Sequence, residues 1–113
     1  VLHEFAHKLD MLNGDANGFP PLHRGMDAAA WSHAFSVAYE DLCRRVDEGE
    51  DTPIDPYATT DPAEFFAVLS EAFFETPDIL FAEYPAVYEQ MRQFYRQDPL
   101  RRLDALLQGK PHE

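Results

Sequence analysis

His3-Glu4-Phe5-Ala6-His7, continued by Lys8-Leu9-Asp10-Met11-Leu12 and closed by Asn13-Gly14, is the stretch on which the reading of this chain turns. Val1 to about Leu12 has helical character, and Asn13-Gly14 is a good stop. On a helix, positions i and i+4 lie on one face a turn apart, so His3 and His7 can reach one metal ion from a rigid element. Glu4 stands beside them, where it can hold a water and take its proton. This H-E-x-x-H pattern is that of zinc peptidases. The competing reading is a solvated helix face carrying two unrelated histidines. Phe5, Ala6 and Leu9 weigh against it. They predict a partly buried helix, and polar side chains near a core need partners.

A catalytic zinc site needs a third protein ligand and an open position. The pattern with Gly three residues after the second His and a third His six after does not apply, because Asp10 and Asn13 stand there. Asp10 either orients an imidazole from behind or is an exposed helix acid. Downstream, Glu64 and Glu71 are seven residues apart and share one face of a predicted central helix. Glu64 also lies three residues after Asp61, where it would complete a capping box with no metal involved. The residues alone leave the third ligand open between Glu64 and Glu71. Tyr57 is either a donor to a tetrahedral oxyanion or a packing tyrosine in a loop.

Outward from the motif the chain reads as helices separated by turns, with no convincing strand, and the expected class is mainly α. Residues 15–25 form a loop with Gly18, Pro20 and Pro21. Asp27 caps a second helix ending near Gly49, whose Trp31, Phe35, Ala38, Leu42 and Val46 mark one buried face. Glu48 to Pro56 is an acidic surface loop. Asp61-Pro62-Ala63-Glu64 opens a third helix bearing Phe65, Phe66, Val68, Leu69, Ala72 and Phe73, which should be central and stop at Thr76-Pro77. A short segment Asp78–Glu83 follows. Pro85 opens a helix reaching about Gln97, and Pro99 to Leu107 forms the last.

With 113 residues, one domain over residues 1–113 with one modest core is expected. Hydrophobic residues make up 45%, which fits a packed globule and not a disordered chain. A net charge of -12 leaves no electrostatic footprint for nucleic acid or an anionic membrane. Cys43 is the lone cysteine, so no intrachain disulfide forms, which fits a reducing compartment. No apolar run approaches the ~20 residues that span a bilayer, and no signal peptide is visible. The chain opens on Val1 directly before the motif, and the expectation is a fragment whose N-terminal part is missing.

The stretch from His3 to Gly14 closely resembles the motif of the Mlc titration factor A family of bacterial zinc peptidases. So do Ile54-Asp55-Pro56-Tyr57-Ala58, the run from Asp61 to Glu71, and Phe94-Tyr95-Arg96-Gln97-Asp98-Pro99. The resemblance covers residue 1 to about 103. The family is related in its catalytic core to the metallopeptidase domain of anthrax lethal factor, where a tyrosine precedes the glutamate ligand by seven residues, as Tyr57 precedes Glu64. The resemblance implies a zincin-like helical core of gluzincin type, with Zn2+ held by His3, His7 and Glu64. It implies Glu4 as general base, Tyr57 assisting the oxyanion, and Glu71 behind the ligands or structural. It also implies a cytoplasmic peptidase, of aminopeptidase or more general type, acting on peptide substrates. An Mlc-like transcriptional repressor is the implied partner, linking the protein to sugar uptake. A regulatory binding protein that sequesters such a repressor is the rival reading, and a non-peptidase zinc hydrolase a third.

Overall fold

A computed structural model describes residues 1–14 and 17–107, the side chain of Asn13 excepted. Among these residues the elements are α1 (Leu2–Asp10), a 3-10 turn (Met11–Asn13), α2 (Ala28–Asp47), a second 3-10 turn (Pro56–Thr59), α3 (Pro62–Glu75), α4 (Pro77–Glu83), α5 (Pro85–Tyr95) and α6 (Pro99–Leu107). No strand is present among the described residues. The expected mainly α class holds. No helix of the described residues is long and apolar enough to cross a membrane.

The centre is α3, as its apolar sequence predicts. Ala63, Phe65, Phe66, Ala67, Val68, Leu69, Ser70 and Phe73 are buried on it. Residues buried around most of a helix require cover on several sides. Here α1 packs along one flank of α3, while the Pro56–Thr59 turn, α4 and α5 take others. The long α2 crosses α5 and the same turn and places Trp31, Phe35, Ala38 and Leu42 in the core. The Trp31 and Phe35 rings stack with centroids 4.3 Å apart, and Phe66 and Phe94 meet Trp31 from α3 and α5. Full burial of each such side chain is worth roughly 1.5–3 kcal/mol. This cluster is therefore what fixes α3 relative to α2 and α5.

The ends of α3 follow from its sequence. Asp61 is extended at the N-cap and accepts the backbone N–H of Glu64 (2.8 Å), with Pro62 in the first turn. Thr76 before Pro77 ends the helix, because a residue before proline is pushed out of helical conformation. The predicted short segment after Thr76 is the helix α4, which starts at Pro77. The helix expected to reach Gln97 stops at Tyr95, where Arg96 turns left-handed with φ 55°. One expectation for α1 is corrected. Ala6 is buried and Leu9 is half-buried, but Phe5 is 53% exposed. The face of α1 against α3 carries His3, Ala6, His7 and Asp10, and a step of about 100° per residue turns Phe5 away from it.

Candidate metal centre

The two imidazoles rise from adjacent turns of α1, their ring centroids 4.8 Å apart and their planes at 73°. Facing them is the first turn of α3. Glu64 Oε1 lies 2.8 Å from His3 Nε2 and 3.1 Å from His7 Nε2. One donor atom from each of His3, His7 and Glu64 falls within 4.8 Å of the others. All three side chains are part-buried, so the cluster can meet solvent.

Two nitrogens and one carboxylate oxygen are a donor set that suits zinc. Zinc–donor bonds of ~2.0–2.2 Å in a tetrahedron separate neighbouring donors by about 3.3 Å. The two spacings to Glu64, 2.8 and 3.1 Å, need an outward shift of a few tenths of an ångström, and the pair His3–His7, within 4.8 Å, is brought to the same spacing by side-chain torsions. The residues fit the ion.

Glu71, two turns along α3 from Glu64, accepts from the other nitrogen of His3, with Nδ1 to Oε1 at 2.8 Å. With the Nδ1 proton given to Glu71, the nitrogen left with a lone pair is Nε2, which faces His7 and Glu64. Burial lowers the His3 pKa, but hydrogen bonds to Glu71 and Glu64, together with their negative charge, raise it by more. The net shift is upward from 6.5.

The helix cap and the metal-facing arrangement do not compete for Glu64 as the sequence suggested. Asp61 caps α3 through the backbone N–H of Glu64. The side chain of Glu64 turns to the histidines, and no return bond to Asp61 completes a box among the described residues.

Glu4 is exposed and makes no hydrogen bond or ion pair among the described residues. Tyr57 sits on the Pro56–Thr59 turn, which Asp55 caps by accepting the Tyr57 N–H. Tyr57 is 52% exposed and its ring centroid lies 6.2 Å from that of His3. The turn is anchored from below by Ala58, which is fully buried, and by Tyr39, whose hydroxyl donates to the Thr59 carbonyl (3.2 Å). A half-exposed tyrosine beside His3 is not packed in the core.

Asp10 departs from both sequence expectations. It is not an exposed acid, and among the described residues it partners no imidazole. It is fully buried, and its two oxygens accept the backbone N–H groups of Gly18 (2.6 Å) and Phe19 (3.1 Å). Its position one turn after His7 suggested the ring as partner. Backbone donors in a loop carry no residue signature that could have indicated otherwise.

The model of the glucose-regulated metallo-peptidase M90 family matches residues 1–96. The chain belongs to this family. Relatives extend the likeness to the last helix. Mlc titration factor A of Serratia proteamaculans (strain 568) is 50% identical over 109 residues, covering 94% of this chain and 41% of the relative. Mlc titration factor A of Yersinia pestis (strain Pestoides F) is 48% identical over 106 residues, 91% of this chain and 39% of the relative. The same name and figures apply to a protein of Yersinia pseudotuberculosis serotype O:1b (strain IP 31758). This M90 chain thus spans about two fifths of the length of the curated relatives it matches. The names agree with the family that the motifs resemble, and a metallopeptidase family implies a metal ion.

Proposed function

We propose that this chain carries the hydrolytic centre of a zinc peptidase. The observation that carries the reading is the convergence of His3 Nε2, His7 Nε2 and Glu64 Oε1 within one ion's reach, with Glu4 next to His3 in sequence and exposed. His3, His7 and Glu64 would hold the ion, and Glu71 would fix the tautomer of His3. When bound, zinc supplies Lewis acidity toward a water and a peptide carbonyl. Glu4 takes the proton from the attacking water and passes it to the leaving amine. Glu4 is not needed to hold a metal, so its presence favours catalysis over a purely structural ion. The hydroxyl of Tyr57 donates to the oxyanion as the carbonyl becomes tetrahedral. Peptides are the substrate class in this reading, with aminopeptidase action as one form of it. A cytoplasmic location belongs to the same reading, since a chain with the lone Cys43 forms no intrachain disulfide.

The name of the relatives favours a second reading. A titration factor for Mlc is named for binding, so this chain would sequester an Mlc-like repressor, with any effect on transcription passing through that protein and not through DNA. A net charge of -12 supports the last point. The test that separates the two is zinc stoichiometry together with hydrolysis of a peptide panel, on wild type and on Glu4→Gln. The peptidase reading expects one zinc per chain in both and hydrolysis in wild type alone. Equal activity of the two proteins, or no bound zinc in wild type, would overturn it.

A further inference from the structure

Only Ala6 and Asp10 are fully buried on α1. Ala6 contributes little apolar area and Leu9 is only half-buried, so apolar burial on this helix is modest. What secures its C-terminal end is polar. A buried carboxylate is costly unless its oxygens are satisfied, and those of Asp10 are, by Gly18 N–H and Phe19 N–H. Bonds from amides to an ionised acceptor are the stronger kind.

The strap held by Asp10 is itself wedged against the start of α3. Gly18 has φ +81°, and a Cβ placed on it would lie 2.6 Å from the carbonyl oxygen of Pro62. Its own carbonyl accepts from Trp31 Nε1 at 3.4 Å, which ties it to α2. Pro62 is two residues before Glu64, and Asp10 is three residues after His7. The path from Asp10 through Gly18 to Pro62 therefore joins the two helices within a turn of the atoms that meet at 3.1 Å, His7 Nε2 and Glu64 Oε1.

We propose that Asp10 is a positioning residue for the metal centre, which by clamping residues 17–19 against Pro62 sets the separation of His7 and Glu64. The inference rests on the reading of His3, His7 and Glu64 as ligands. Its physical basis is that ligand distances must hold within about 0.2 Å for full affinity, while helices free to slide by a methyl-sized step move their side chains by more than that. Asn at position 10 keeps the shape but replaces two ionised acceptors by one neutral one, which weakens the 2.6 Å bond from Gly18 N–H, while Phe19 N–H also reaches Asn17 Oδ1 at 3.0 Å. Ala at position 18 leaves the carboxylate intact and displaces the strap by steric contact with Pro62. The two changes reach the same joint by different chemistry.

The test is the zinc dissociation constant of the folded chain, by chelator competition, alongside the melting temperature in excess chelator. Asp10→Asn and Gly18→Ala are compared with Val87→Ala, which trims a fully buried side chain of α5 away from the joint. The expected result is a zinc affinity lowered ~10–100-fold in Asp10→Asn and Gly18→Ala, the range seen when groups supporting ligands are lost. Val87→Ala should lower the melting temperature and leave the zinc affinity of the folded protein unchanged. Zinc affinity retained in Asp10→Asn, or lost equally in Val87→Ala, would overturn the proposal. If Asp10→Asn does not fold, Gly18→Ala decides on the same criterion. His7→Ala in the same assay distinguishes a failure of the site reading. Wild-type zinc binding by that variant would mean the ligands are misassigned, whatever Asp10 does.

Discussion

His3 and Glu71 are joined at 2.8 Å through the ring nitrogen that points away from His7. A carboxylate in this position holds the imidazole ring still and makes its far nitrogen a better donor. Glu71→Ala should therefore weaken zinc binding ~10–100-fold, although in the proposed site Glu71 acts through His3 and not as a ligand. Glu71→Gln, which keeps an acceptor oxygen without the charge, should recover part of the loss. Competition with a coloured chelator measures both. Equal affinity in Glu71→Ala and wild type would show that the bond is incidental.

Glu4→Gln tests the base. The side chain is exposed and unpaired among the described residues, so the change should leave fold and zinc content alone. Peptide hydrolysis should fall by about 10²–10⁴-fold, the usual worth of a general base. Turnover near that of wild type would remove Glu4 from the mechanism.

Tyr57→Phe keeps the ring beside His3 and removes the hydroxyl. Because the ring is half exposed, the melting temperature should hold. A loss of about 10²–10³ in kcat, with zinc affinity unaltered, is the expectation for one oxyanion donor. A change confined to the melting temperature would assign Tyr57 to packing instead.

The upward shift of His3 gives opposite pH dependences with and without metal. Its cause is that burial, which lowers the pKa, is outweighed by hydrogen bonds and charge from Glu71 and Glu64. A folded pKa above the unfolded value of 6.5 means that His3 stabilises the metal-free chain fully below pH 6.5, and that this contribution is lost as pH rises through the folded pKa. Zinc needs the unprotonated ring, so its binding strengthens over the same interval. The rise in melting temperature produced by zinc should grow from about pH 6 to about pH 8, a span that brackets an ordinary or raised histidine. Paired melts in chelator and in zinc measure it. A zinc-induced rise that shrinks over that interval would contradict the assignment of His3 as a ligand.

The helices and the pairing of His3 with His7 were legible because both depend on local spacing. A four-residue interval on a helix aligns His3 with His7 wherever the helix goes, and Asp61-Pro62 starts α3 by chemistry confined to its first turn. Which glutamate meets both histidines was not legible from the residues. Glu64 and Glu71 share a face, and which one meets which nitrogen of His3 depends on how α1 lies along α3. That placement is a tertiary fact, set by the packing of the two helices and by the strap at Gly18. The exposure of Phe5 and the burial of Asp10 were missed for the same reason, since the inner face of α1 is chosen by its neighbour and its apolar residues do not mark it.

Glu64 and Asp61 allow the cap and the metal contact to be measured separately, because one uses a backbone group and the other a side chain. Asp61 caps α3 by accepting the N–H of Glu64, and that donor survives when the Glu64 side chain is cut back. Asp61→Ala should lower stability in excess chelator by about 1 kcal/mol, the usual cost of losing an N-cap, and leave most of the zinc affinity in place. Glu64→Ala should show the reverse pattern. It keeps the cap but leaves two imidazoles as the only ligands, which hold zinc weakly and leave the site too open. Glu71 cannot replace it from two turns along α3, where its carboxylate is engaged on the outer nitrogen of His3. Zinc stoichiometry and affinity, with melting temperatures taken in chelator, give a two-by-two comparison. Full zinc binding by Glu64→Ala, together with a loss of metal-free stability, would reduce Glu64 to a cap and move the third ligand to another residue.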